Sequence, residues 1–204
     1  MNQGTYVFAQ TSTFLPARRF DRCVDAYKGN KWIKHFSCWN QLLCMMSGQL
    51  SNCDSLRNLL VCISVYQPKH YHLGLGKSIS RSNLSQANER RDHRIFELFA
   101  YEMSARARTC YMADSIFNLL IQANVYAFDA TIIDLCLKVF RWATFRKTKA
   151  AMKVHTLFDV KTAIPVFIHI TAASMHDVKG LDELTYETGD YYILDRGYLD
   201  FERL

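Results

Sequence analysis

Two aspartates that each close an apolar run are the residues of this sequence best placed to do chemistry. Asp129 ends Val125-Tyr126-Ala127-Phe128-Asp129, and Asp195 ends Tyr191-Tyr192-Ile193-Leu194-Asp195 ahead of Arg196-Gly197-Tyr198. Carboxylates at two strand ends, once a fold unites them, offer the hard oxygen ligands that Mg²⁺ prefers. That ion takes as few as one or two protein carboxylates and fills the rest of its shell with water and substrate phosphate. Paired ions in such a site activate the attacking oxygen and stabilise the leaving one in phosphoryl transfer. Between the aspartates lies Arg141 to Lys153, with Arg141, Arg146, Lys147, Lys149 and Lys153 and no acid. Trp142 and Phe145 stand within it, so the stretch suits phosphate and base contacts as well as a solvated charged loop.

Other titratable residues compete less well. Asp134, five residues past Asp129, suits a place near it and equally a helix face, Asp159 precedes a turn and is expected to serve it, and Asp200 and Glu202 follow Asp195 too closely to stand out as metal partners. His70 and His72 lack a third ligand. His155, two residues after Lys153, is placed to approach DNA or a metal-bound water, and His169 reads as core or sheet surface. No Gly-rich phosphate loop and no Ser-His-Asp order stands out.

The elements that must position these residues change character along the chain. Trp39, Leu42, Leu43, Met46 and Leu50 recur at helical spacing, which predicts a helix from about His35 to Leu50. Ser51-Asn52-Cys53-Asp54 interrupts it, and Asp54 or Ser55 caps a second helix through Leu56, Leu59, Leu60 and Ile63. The pair resembles a helix-turn-helix in outline. Ser80 then caps a short polar helix over residues 80–91, in which Arg81, Asn83, Gln86, Arg90 and Arg91 carry groups that hydrogen-bond base edges and phosphates. A further apolar face at Phe96, Phe99, Ala100 and Met103 runs to about Cys110. From Asn124 onward the period becomes that of strands: Val125 to Asp129, Lys153 to Asp159 and, after a turn at Lys161-Thr162-Ala163, Ile164 to Ile170. A helix or turn over 176–187 and a fourth strand at Tyr191 to Leu194 follow.

Composition excludes several classes. With 204 residues, 50% of them hydrophobic, the chain can bury one core and a second smaller one. The longest apolar stretch, Leu59 to Tyr66, is far short of the ~20 residues that span a bilayer, and Met1-Asn2-Gln3-Gly4 does not open a signal peptide. A cytoplasmic, nucleoid-associated protein without a membrane partner is expected. The seven cysteines form no Cys-x-x-Cys pair and read as reduced thiols. The net charge of +6 is uneven: Lys138 to Lys153 holds six bases and no acid, whereas His176 to Leu204 holds eight acids. One region attracts phosphate and the next holds cations.

Several separated motifs together resemble the insertion sequence 4 group of transposases. They are Tyr126-Ala127-Phe128-Asp129-Ala130-Thr131-Ile132-Ile133-Asp134-Leu135, Trp142-Ala143-Thr144-Phe145-Arg146-Lys147-Thr148-Lys149, Lys153-Val154-His155-Thr156-Leu157 and Asp195-Arg196-Gly197-Tyr198-Leu199-Asp200-Phe201. Phe14-Leu15-Pro16 and His35-Phe36-Ser37-Cys38-Trp39-Asn40-Gln41-Leu42 are similar to that family's helical N-terminal domain. The resemblance implies an α/β (α+β) chain, with a helical DNA-binding domain over residues 1–115 and an incomplete RNase H-like mixed-sheet core over 116–204. It implies a mechanism in which two Asp and one Glu hold Mg²⁺ or Mn²⁺ for DNA cleavage and strand transfer. Asp129 and Asp195 match the two aspartates and would be both catalytic and metal-binding. The Glu has no counterpart before Leu204, so a truncated copy unable to catalyse alone is expected.

Arg146, Lys147, Lys149 and Lys153 would screen DNA phosphates, and Arg81, Asn83, Gln86, Arg90 and Arg91 would read the terminal inverted repeat of double-stranded DNA. A homodimer or full-length transposase is the expected protein partner. The alternative is a DNA-binding regulator or inhibitor of transposition without catalysis.

Overall fold

A computed structural model describes residues 7–65, 70, 73–75, 79–111, 123–135, 144–146 and 149–198. The chain forms two compact units, Met1–Ala100 and Tyr101–Leu204. Among the described residues, no helix is long and apolar enough to cross a membrane.

The first unit is helical: α1 (Val7–Thr13), α2 (Ala17–Ala26), α3 (Cys38–Leu50), α4 (Leu56–Val65), α5 (Arg81–Arg90) and the first turns of α6 (Arg94–Tyr111). The caps follow from residue chemistry. Ser37 accepts from the Asn40 amide while the Asn40 side chain accepts from the Ser37 amide, a capping box that starts α3 three residues after His35. Ser55 accepts from Asn58 N at 3.1 Å and Ser80 from Asn83 N at 3.1 Å, as the sequence predicts for α4 and α5. The core gathers Leu43, Cys44, Leu59, Ile63, Leu75 and Leu84. Gly48 lets α3 approach α4, because a Cβ there would lie 3.1 Å from Leu59 Cδ1. Beside this core, Phe20 is fully buried, with its ring edge-on to Trp39 and Phe99 at centroid distances of 5.5 and 5.0 Å.

The second unit is a mixed sheet of β1 (Val125–Leu135), β2 (Thr144–Arg146), β3 (Lys149–Asp159), β4 (Ile164–Ala172) and β5 (Tyr191–Leu194). β3 pairs antiparallel with β1 on one side and with β4 and β2 on the other, and β5 lies parallel to β1. This is the α/β class that the sequence predicts, with an antiparallel meander followed by a crossover to a parallel strand. The crossover carries a 3₁₀ segment, Asp177–Glu183.

The division between the units falls inside α6. Tyr101 explains why: its hydroxyl donates to Ile168 O at 2.9 Å and accepts from Ile168 N at 3.1 Å, tying this part of α6 to the backbone of β4. Arg108 adds an ion pair to buried Asp159 at 3.3 Å. Asp159 also serves the following turn, accepting from Lys161 N at 2.9 Å.

One sheet face is covered. Tyr126, Phe128 and Leu157 pack there against Leu181, Leu184 and Tyr198. On the other, Ile133, Phe158, Ile170, Tyr191 and Ile193 are exposed among the described residues.

Candidate active site

β1 runs longer than the sequence predicts. It continues past Asp129 to Leu135, because β3 keeps pairing with it as far as Leu135 opposite Ala150. Asp129 is therefore not at a strand end but at the end of the pairing between β1 and β5. Val125, Tyr126, Ala127 and Phe128 lie opposite Tyr191, Tyr192, Ile193 and Leu194 in parallel register. One residue further along each strand come Asp129 and Asp195, both exposed. Neighbouring strands lie ~4.8 Å apart, so the fold sets side by side two carboxylates that the sequence separates widely.

The chain turns away directly after Asp195. Asp195 Oδ1 accepts from Arg196 N, and Tyr198 N donates to Asp195 O at 3.0 Å, closing the short 3₁₀ segment Arg196–Tyr198. That turn buries the Tyr198 ring edge-on against Phe128, with centroids 5.3 Å apart. Burial, then the negative field of Asp177, Asp129 and Asp195, pushes the Tyr198 phenol up to about 12. Like any phenol it is neutral at neutral pH, and the shift extends that neutrality into more alkaline solution beside the carboxylates.

The two carboxylates fit a divalent cation as a partial ligand set. Their oxygens are exposed, adjacent and hard, and neither Asp129 nor Asp195 has an ion-pair partner among the described residues. Among those residues, no group of three His, Cys, Asp or Glu is arranged to hold a metal ion.

Behind the aspartates the covered sheet face holds a polar cluster. Lys153 is buried, and its Nζ lies 2.7 Å from Asp177 Oδ1 and donates to Met175 O at 2.8 Å. Lys153, expected on DNA phosphates, is therefore a correction: the alternation of β3 turns it inward, where an ammonium persists only because Asp177 and a carbonyl satisfy it. His155 is corrected as well. It is fully buried, its Nε2 lies 3.0 Å from Thr171 Oγ1, and its ring stacks on Phe128 at 5.9 Å.

Burial, then the charge of Lys153, lowers the His155 pKa below its ordinary 6.5, with His169 acting in the same direction and Asp177 opposing. The unfolded chain then binds the proton more tightly than the folded one, so stability falls as pH drops through about 6.5 towards the folded value. Urea midpoints at stepwise pH check this. A His155→Phe variant is expected to lose part of that acid dependence, and an unchanged slope would count against it.

On α5, Arg81, Asn83, Gln86 and Arg90 are exposed. Arg91 is another correction. Its guanidinium folds back on α3, donating to Ser37 O at 2.9 Å, Gln41 Oε1 at 2.8 Å and Phe36 O, so its donors hold the helices together. In the basic run, Arg146 of β2 lies opposite Lys149 of β3, while Lys147 lies outside the described residues. Sequence reasoning missed Asp177 as the partner of Lys153, for which no local signal existed.

Two family models match the chain. Residues 3–76 match one described as "Domain of unknown function (DUF4372)", and residues 121–204 match one described as "Transposase DDE domain". No curated protein and no solved structure matches significantly. The two matches support a transposase, and the second spans both Asp129 and Asp195.

Proposed function

We propose that the chain is a DNA transposase of an insertion sequence, whose second unit is an RNase H-like core and whose first unit binds the terminal inverted repeats. The observation that carries this reading is the parallel register of β1 and β5, which makes neighbours of Asp129 and Asp195 within the segment similar to the transposase DDE domain. Asp129 and Asp195 would hold Mg²⁺ or Mn²⁺ through their carboxylate oxygens. A cation bound there supplies Lewis-acid stabilisation of the reacting phosphate and a more acidic bound water. Tyr198, kept protonated, limits the negative charge packed behind the two acids. Exposed Arg81, Asn83, Gln86 and Arg90 serve DNA recognition, and Arg146 and Lys149, opposite one another in the register of β2 and β3, add phosphate contacts.

A second reading is a DNA-binding regulator without catalysis. It is favoured by the convergence of only two carboxylates among the described residues. Both readings require DNA binding; they part on chemistry. The purified chain is expected to shift duplexes taken from the flanks of its own gene, in EDTA as well as in Mg²⁺, with affinity falling steeply as salt rises. Absence of any shift at low salt would sink both readings. In Mg²⁺ or Mn²⁺, nicking of the same duplexes that Asp129→Asn and Asp195→Asn each abolish assigns catalysis to this chain. Binding without nicking assigns it the regulator's role.

A further inference from the structure

We infer that the turn around Trp32 and helix α5 form one DNA-binding groove, in which Trp32 is the aromatic contact and Lys34 and Arg90 hold phosphates. The inference rests on the proposed DNA binding and adds to it a second element and a side chain that recognition by α5 alone would not need.

The groove measures about 300 Å³ and is lined by Trp32, Lys34, His35, Asn83, Gln86 and Arg90, among others, with no carboxylate among its lining residues. Asn83, Gln86 and Arg90 recur at three- and four-residue spacing, so they share one face of α5. Asn and Gln carry paired donors and acceptors suited to base edges, and the cations suit the DNA backbone.

Trp32 is unusual on two independent counts. Its side chain is 89% exposed, in a chain whose neighbouring aromatic Trp39 packs on Phe20. Its backbone has φ 65, a left-handed conformation at the third position of the turn closed by Ile33 N to Asn30 O at 3.1 Å. Glycine is favoured at such a position, and a bulky residue there is strained.

The turn is also firmly seated. Asn30 Oδ1 accepts from Cys38 N at 2.8 Å at the start of α3, and Gly29 lies so close to the core that a Cβ would come 2.4 Å from Ile95 Cδ1. A fixed platform thus projects an indole that contributes little burial to its own fold. An enclosed small-molecule pocket would cover the ring, whereas an indole left exposed with the Lys31 ammonium 5.7 Å from its ring centre, and with Lys34 in the same groove, suits a large anionic partner. Duplex DNA provides both phosphates and apolar sugar and base surfaces.

The test is fluorescence anisotropy of the full chain with a fluorescein-labelled duplex taken from the flank of its own gene, run beside thermal melts. Trp32→Gly is expected to bind roughly tenfold more weakly, the scale of losing one aromatic contact to nucleic acid. Its melting temperature should equal or exceed that of the original chain, since glycine accepts the left-handed turn. Trp32→Phe should keep most of the affinity, and Lys34→Gln should lower the slope of log affinity against log salt by about 1.

Wild-type protein that fails to bind the duplex refutes the proposed function itself. Wild-type binding that Trp32→Gly and Lys34→Gln leave unchanged overturns this inference alone. A loss of affinity matched by a loss of melting temperature assigns Trp32 to folding and also overturns it. So does binding to phosphatidylserine vesicles that the duplex cannot displace, which would make the turn a membrane contact.

Discussion

Phe20→Ala is expected to lower the unfolding free energy by about 3–5 kcal/mol, the range for truncating a fully buried phenylalanine. Phe20 has no exposed surface, and its ring meets Trp39 and Phe99 edge-on and Phe96 at 5.9 Å. Alanine removes the buried apolar area and, in addition, edge-to-face contacts worth about 0.5–1.5 kcal/mol per pair. Cys23 and Val24, buried on the same face of α2, cannot reach across the resulting void. Phe20→Leu should recover more than half of the loss by refilling volume without the ring geometry. Urea unfolding followed by far-UV circular dichroism measures both variants, and a loss below about 1 kcal/mol for Phe20→Ala would show that the helices collapse into the space.

Gly180→Ala should have the next largest effect, about 1–3 kcal/mol as for overpacking a filled core. A Cβ at residue 180 would stand 2.6 Å from His155 Nδ1, 2.9 Å from Cε1 and 3.0 Å from Cγ. A flexible side-chain end could swing aside, but this is the flank of a ring that is held by Thr171 and stacked on Phe128. The crossover segment must therefore lift off the sheet, disturbing the seat of Asp177 and with it the partner of Lys153. Gly197→Ala is the control: a Cβ there meets nothing within 4 Å, so its stability should hardly change. Equal melting temperatures for Gly180→Ala and the original chain would mean that the crossover is not packed on His155.

The strands were legible where their residues alternate. Tyr191–Leu194 falls where the apolar run predicts it, and the turn before β4 is marked by Asp159 and the residues after it. Serine caps told where α4 and α5 begin, because a cap is a local hydrogen bond. Two extents were not legible. β1 passes Asp129 because β3 remains its partner, and β2 is too short to leave a periodic signal. Nor could charge alone sort the basic residues. Lys153 and Arg91 look from their neighbours like any other phosphate ligand, yet Asp177 captures one and the carbonyls of Phe36 and Ser37 the other.

What the sequence determined by itself was the set of local choices: helices first and strands after, their caps and turns, and the two aspartates as the residues worth following. Each of these depends on interactions within a few residues, which spacing records. Only the tertiary structure decided that β5 lies parallel to β1 in the register that sets Asp129 beside Asp195, and which face of β3 is buried. Those are pairings between segments far apart in the chain. A shift of one residue in such a pairing would turn every side chain to the opposite face, so the site exists only once the strands have chosen their partners.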